Sequence, residues 1–227
     1  RLFLQNGLKG DLMNDLKSLA REHRIDPVYV PAAKLNRITA KNHQGAVAFI
    51  SPVAFESLEA LVPMLFEQGK NPLILVLDGI TDIRNFGAIV RSADGAGVDA
   101  IVIPSKGAAQ VSSDAVKTSA GALFHVPVCK EASLDKAVEL LQHSGIQVVA
   151  CSEKGADPYA DCDLSVPTAI VMGSEEKGVS TNILRKCDRM AMIPMQGKVG
   201  SLNVSVACGI LLYESVRQRS KALANSG

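Results

Sequence analysis

An α/β architecture, with a mostly parallel sheet covered by helices on both faces and a small α/β unit in front, is predicted by three observations. From residue 73 onward, short apolar runs alternate with helical patterns, the rhythm of a parallel sheet with crossover helices. The run LILVLD at 73–78 is apolar almost throughout, as in a strand buried on both faces rather than one. The sequence GKNP at 69–72 then separates this region from a shorter, more basic one.

In the first region, Leu12, Leu16 and Leu19 stand at helical spacing within 10–23, which predicts a helix with those residues on its apolar face. PVYVP at 27–31 reads as a short strand closed by prolines, AAKLNRIT at 32–39 as a helix and GAVAFIS at 45–51 as a second strand. The unit is expected to be incomplete at its N-terminus. Residues 55–68 predict a connecting helix with a kink or break near Pro63. Boundaries are drawn at 1–52 for the small unit, 53–71 for a linker and 72–227 for the main domain.

Beyond 72, strands are expected at 73–78, 99–104, 125–129, 147–151, 168–173 and 190–194. Helices are expected over 85–97, 113–121, 133–144, 180–187 and from about Asn203 to Arg219. Gly145 supplies the usual stop signal for the third of these. There is no internal repeat and no low-complexity segment.

Composition removes several function classes. At 227 residues, 47% hydrophobic and 21% charged, the chain is neither disordered nor collagen-like. The longest apolar stretches, such as Leu73–Leu77, fall far short of the ~18 residues of a membrane span. Lys9 and Asp11 interrupt the only apolar start, so no signal peptide is read, although the sequence opens on Arg1 rather than Met. Five cysteines, with no C-x-x-C pair and no histidine at ligand spacing, fit reduced thiols in a cytoplasmic protein and argue against a disulfide frame or a metal site. Net charge is only +1, but residues 1–50 carry 8 Lys/Arg against 4 Asp/Glu. That asymmetry is an electrostatic footprint for a polyanion, or else a solvated basic face.

In doubly wound sheets, sites lie beyond the C-terminal ends of strands. Three loops there are unusual: the one after 73–78, GSEEKGVS after 168–172, and PMQGKVGSLNVS after 190–193. A dinucleotide fingerprint fails, because Gly95 and Gly97 close a helix instead of opening one. No G-x-x-x-x-G-K-[ST] is present. Singly, each loop is ordinary turn chemistry, but their joint order is harder to dismiss.

Asn85 and Arg91 in N-F-G-A-I-V-R, G-S-E-E-K-G at 173–178 and I-P-M-x-G-x-V-x-S-L-N-V-S at 193–205 resemble the three motifs of the SpoU-type (TrmH) branch of the SPOUT superfamily. The resemblance covers about 72–220. It implies an RNA ribose 2′-O-methyltransferase that uses S-adenosylmethionine and no metal, in a fold whose C-terminal segment forms a deep trefoil knot (the SPOUT fold). It also implies a homodimer through the catalytic domain. The small basic unit is similar to the L30e-like RNA-binding domain of the family's 23S ribosomal RNA guanosine methyltransferases.

By the same resemblance, Gly173, Ile193 and Leu202 line the cofactor pocket, although isoleucine and leucine are more often plain core. Arg91, Asn85, Glu175, Ser201 and Asn203 form the polar set. Arg91 would contact a phosphate and the reacting hydroxyl, since a guanidinium is no simple general base. Asn85 could equally cap its helix, and Ser201 or Asn203 the last one. Glu175 would hold loop 173–178. Glu176, Lys177, Lys198 and Lys106 read as solvated charges, His125 as structural, and Met172, Met190, Met192 and Met195 as core. A tRNA ribose methyltransferase, a resistance-type adenosine methyltransferase, a base-methylating relative and a non-catalytic RNA-binding or ribosome-assembly protein are the alternatives. Intact polar residues speak against the last, and the S-L-N-V-S wording against base methylation.

Overall fold

A computed structural model describes residues 1–155 and 157–225. It divides into two compact units, Arg1–Ser51 and Pro52–Gly227.

In the first unit, β1 (Leu2–Gln5) is followed by α1 (Asp11–Glu22), β2 (Val28–Val30), α2 (Ala32–Ile38) and β3 (Ala46–Ala48). The opening residues, passed over in the sequence reading, form the middle strand of a three-stranded sheet: β1 pairs parallel with β2 and antiparallel with β3. Leu4 and Leu35 are fully buried, on opposite faces of this sheet. The expected apolar face of α1 needs correction. Met13 and Ala20 are buried and Leu16 packs beside them, whereas Leu12 and Leu19 are 75% and 52% exposed. Residues 13, 16 and 20 share one face at the 3–4 residue helical period, and the sheet selects that face over its neighbour.

The second unit contains β4 (Phe55–Glu56), α3 (Leu58–Glu67), β5 (Leu73–Asp78), α4 (Ile83–Gly95), β6 (Ala100–Pro104) and α5 (Ser113–Thr118). These are followed by β7 (Val128–Glu131), α6 (Leu134–His143), β8 (Gln147–Cys151), β9 (Asp157–Pro158), β10 (Thr168–Gly173), α7 (Thr181–Leu184), β11 (Arg189–Met192) and α8 (Val204–Asn225). The eight strands run in the order β4-β7-β6-β5-β10-β8-β11-β9, and every neighbouring pair is parallel. Both edge strands are only two residues long, which limits the unpaired backbone offered to another sheet.

Alternation along β5 builds two cores. Leu73, Leu75 and Leu77 face one layer with Phe86, Ile89 and Leu211. Ile74 and Val76 face the other, with Leu58, Leu61, Val138 and Leu141. Each such side chain contributes roughly 1.5–3 kcal/mol by leaving water, so helices are held to both faces. Residues 53–71, expected as a linker, include β4 and α3, and α3 buries Leu58, Leu61, Val62 and Leu65 in the second core. The helix runs through Pro63 without interruption. Burial of its apolar face outweighs the one hydrogen bond that proline removes.

The C-terminal helix is fastened at the N-terminal ends of the strands. The Arg219 guanidinium donates to the carbonyls of Leu164, Val166, Asn71 and Pro72, so α8 is tied to the segments entering β5 and β10. Gln218 accepts from the Leu164 N–H at 2.7 Å and donates to the Cys162 carbonyl at 3.0 Å. Among the described residues, no helix is long and apolar enough to cross a membrane.

Candidate active site

The chain order of the sheet reverses at β5. From it, β6 and β7 run to one side, while β10 and β8 lie on the other. The crevice of a doubly wound sheet opens at such a switch point, outside the C-terminal strand ends. Here those ends are Asp78 and Gly173, which are register partners. Everything that follows them in the chain is therefore brought to one place.

After β5, Asp82 caps α4: its carboxylate accepts from the N–H groups of Arg84 at 2.8 Å and Asn85 at 3.0 Å. The Asn85 hydrogen bond, then that of Arg84, holds the Asp82 carboxyl below its usual value. Asn85 is thus not the cap, and its side chain is released for other work. After β10, the loop folds back tightly, with Gly178 N–H on the Ser174 carbonyl at 2.8 Å. A Cβ on Gly173 would stand 2.0 Å from the Gly178 carbonyl carbon and from the Val179 nitrogen. Only glycine fits, and the close approach is to the chain's own loop. Asp78 Oδ2 then accepts from Ser180 N–H at 2.7 Å, fastening the far end of the loop to β5.

Asn203 joins the two loops. Its Nδ2 donates to Asn85 Oδ1 at 3.0 Å and to Glu175 Oε1 at 2.7 Å. Its Oδ1 accepts from Ser205 N–H at 3.0 Å and from Ser205 Oγ at 2.5 Å. The amide orientation is chemically forced, because the carboxylate can only accept and the Ser205 N–H can only donate. Asn203 is therefore the N-cap of α8, and Glu175 also takes the Val204 N–H at 3.5 Å. A carboxylate at a helix N-terminus is favoured by the helix dipole. Among the described residues, the Asn85 amide hydrogens and the second Glu175 oxygen have no partner.

The remaining candidates stand apart from this network. Ser201 is exposed and makes no hydrogen bond among the described residues. Ile193 and Leu202 are half-buried and pack against the same core. Residues 193–202 make no hydrogen bond among the described residues. A run of unpaired peptide groups flanked by two apolar side chains suits a neutral, hydrogen-bonding ligand. Arg91 lies six residues beyond Asn85 on α4, about 9 Å along the axis and ~120° around it. It is exposed and has no ion pair or hydrogen bond within the described chain, so the partner expected for it is not supplied here.

The sequence reading missed Asp78, Asp82 and Ser205, which position the others. Asp82 carried a usable signal, an acidic residue just before a helical pattern. It also missed Gly87, whose Cβ would stand 2.0 Å from Thr118 Oγ1 and so keeps α4 and α5 in close contact. Thiol chemistry finds no support: burial pushes Cys151 up to about 11 and Cys187 to about 12. Among the described residues, no group of three or more His, Cys, Asp or Glu is placed to hold a metal ion.

The loops that meet at Asn203 lie within a region, residues 72–213, that matches the SpoU rRNA Methylase family. The chain belongs to that family. Residues 1–56 match a second family, RNA 2′-O ribose methyltransferase substrate binding. YacO of Bacillus subtilis, named for the TrmH family of tRNA/rRNA methyltransferases, is 36% identical over 95% of this chain and 86% of its own. The SpoU methyltransferase AviRb from Streptomyces viridochromogenes, solved in complex with its cofactor AdoMet, is 26% identical with a TM-score of 0.62, covering 97% of this chain and 83% of that one. The A. aeolicus TrmH/SpoU tRNA modifying enzyme is 32% identical with a TM-score of 0.61, over 73% of this chain and 85% of that one. The parallel sheet and these neighbours are those of the SPOUT fold, and the deep trefoil knot comes with that fold. This member is an RNA methyltransferase of the SpoU/TrmH kind.

Proposed function

We propose that the chain methylates a ribose 2′-hydroxyl of RNA with S-adenosylmethionine, and that the target is a guanosine of 23S ribosomal RNA. The observation that carries this reading is the Asn203 hub, which fixes Asn85 and Glu175 across two loops at the switch point and leaves Asn85's amide hydrogens without a partner among the described residues. A donor fixed in this way can hold a ribose oxygen without reorganising during reaction. The name of the family matched by residues 1–56 supports ribose 2′-O chemistry.

S-adenosylmethionine, when bound, supplies a methyl carbon made electrophilic by its sulfonium. Gly173, Ile193 and Leu202, with the free peptide groups of 193–202, would hold its adenine and methionine portions. The chain's own task is to align the 2′-oxygen and assist loss of its proton. Arg91, which has no partner among the described residues, is suited to the second part: a guanidinium fork can bind a phosphate and touch the ribose oxygen at once, stabilising the negative charge that develops there while the proton passes to water. Ser201, exposed on the same segment, would meet the nucleotide.

The basic balance of residues 1–50 favours ribosomal RNA. A tRNA target is the second reading, favoured by the likeness to the A. aeolicus tRNA modifying enzyme over 73% of the chain. The active species is a cytoplasmic homodimer, a reading supported by the apolar Val206 and Tyr213 left 51% and 55% exposed on α8. Light scattering should give twice the monomer mass.

The function is tested by calorimetry and by label transfer. One S-adenosylmethionine site per chain is expected, with no binding of NAD. Labelled methyl should enter ribosomal RNA, and the modified linkage should resist alkali, which cleaves only beside a free 2′-hydroxyl. Label in an alkali-labile nucleotide would refute ribose methylation, and transfer to tRNA alone would select the second reading.

A further inference from the structure

The first unit carries a cavity of about 540 Å³ lined by Lys17 and Arg21 of α1, Arg24, Ile25 and Asp26 of the following turn, and Tyr29 of β2. Among the described residues, Lys17, Arg21 and Arg24 form no ion pair, although eight such pairs are made elsewhere. Tyr29 is 50% exposed, and Lys17 Nζ lies over one face of its ring, 5.9 Å from the centroid, which leaves the other face for a base.

Arg24 adds an independent observation. The helix ends in a Schellman motif, with Ile25 N–H on the Ala20 carbonyl at 2.7 Å and Arg24 N–H on the Arg21 carbonyl at 3.0 Å. Arg24 occupies the left-handed position of that motif at φ 52°. Glycine is the residue this position favours, so the arginine is strained where its side chain makes no bond that the fold needs.

The geometry points to a single-stranded RNA subsite, in which one unpaired base stacks on Tyr29 and the flanking phosphates meet Lys17, Arg21 and Arg24. An exposed aromatic face bordered by three unneutralised cations is the combination that single strands use. A regular duplex, whose bases are stacked on one another, cannot offer a base to the ring. Asp26 at the rim can accept from the N–H groups of that base, a contact a phosphate would avoid. This inference rests on the reading of the chain as an RNA methyltransferase and specifies how its first unit grips the substrate.

The test uses the full chain without S-adenosylmethionine and follows the anisotropy of a fluorescein-labelled adenosine hexamer. A blunt duplex of the same length and a hexaglutamate peptide serve as competing probes. Tyr29→Leu should weaken hexamer binding about tenfold or more, and Tyr29→Phe, which keeps the ring, should stay within about threefold. Combining Lys17→Gln, Arg21→Gln and Arg24→Gly should flatten the dependence of log Kd on log salt by about 2. Arg24→Gly alone should weaken binding while leaving Tm equal to or above that of the parent, which separates loss of contact from loss of fold. Hexamer binding unchanged in Tyr29→Leu and in the triple variant would overturn the proposal. So would a duplex bound with the same Tyr29 dependence, or a peptide bound more tightly than RNA. Because binding is read without the methyl donor, failure here leaves methyl transfer standing, and failure of methyl transfer leaves this measurement intact.

Discussion

Arg91 and Gly173 act at the scale of single residues, for opposite reasons. Arg91 is exposed and has no partner in the described chain, so replacing it removes no contact that folds the protein. Arg91→Lys keeps the charge but loses the planar fork. If Arg91 only attracted RNA, lysine would restore most activity and alanine would raise KM. If it orients the 2′-hydroxyl, both variants should lower the single-turnover rate at saturating RNA by about two orders of magnitude, with cofactor affinity unchanged. A lysine variant reacting near the parent rate would leave Arg91 as a binding charge alone. Gly173 is the reverse case, since its added Cβ would collide with backbone at 2.0 Å. Gly173→Ala should cost about 1–3 kcal/mol by denaturant titration, and should abolish cofactor binding as loop 173–178 shifts. Retention of both would show that the loop can move aside without harm.

Between residues and the whole molecule stand the helix starts that carry the site. Asp82 fixes the first turn of α4, and through it Asn85. Its carboxyl is held below the usual value chiefly by the Asn85 N–H. The sign follows from that depression: the cap is fully effective above about pH 4, the unfolded value, and is lost as pH falls through the folded value. Melting curves from pH 7 to pH 3 should therefore fall less steeply for Asp82→Ala than for the parent, and the two should converge at low pH. Parallel curves would mean the cap adds nothing that titrates. At this scale the sequence was legible where patterns are local. The alternation of strands and helices, the buried run LILVLD and the three loop motifs were all visible along the chain. Asp78 holding Ser180, and Asn203 reaching Asn85, were not, because 102 and 118 residues separate those partners. The spacing that suggested Leu12 and Leu19 for the buried face of α1 was correct in period and wrong in phase, since phase is set by the sheet the helix meets. Likewise β1 is only four residues long and becomes a strand through pairing on both sides.

At the scale of the molecule, the two units have separate cores, and the charge is unevenly divided between them. Residues 1–50 hold 8 Lys/Arg against 4 Asp/Glu, while 71–227 are close to balance at 15 against 16. The parts proposed for methyl transfer, Asn85, Arg91, Glu175 and 193–203, all lie in the second unit. Removing residues 1–51 should thus leave S-adenosylmethionine affinity within about twofold and the oligomeric state unchanged. The second unit has its own two-layered core, so the truncated protein should fold and melt cooperatively. RNA affinity should fall, and its salt dependence should flatten, because each phosphate neutralised on a single strand contributes about 0.7 to the slope of log K against log salt. The loss should exceed that of the Lys17, Arg21 and Arg24 triple variant, since Arg1, Lys9, Lys34, Arg37 and Lys41 leave with the unit as well. Calorimetry with cofactor and anisotropy with ribosomal RNA at several salt concentrations separate the two effects. An unchanged RNA slope after truncation would assign the basic balance to solubility and place all substrate binding on the second unit.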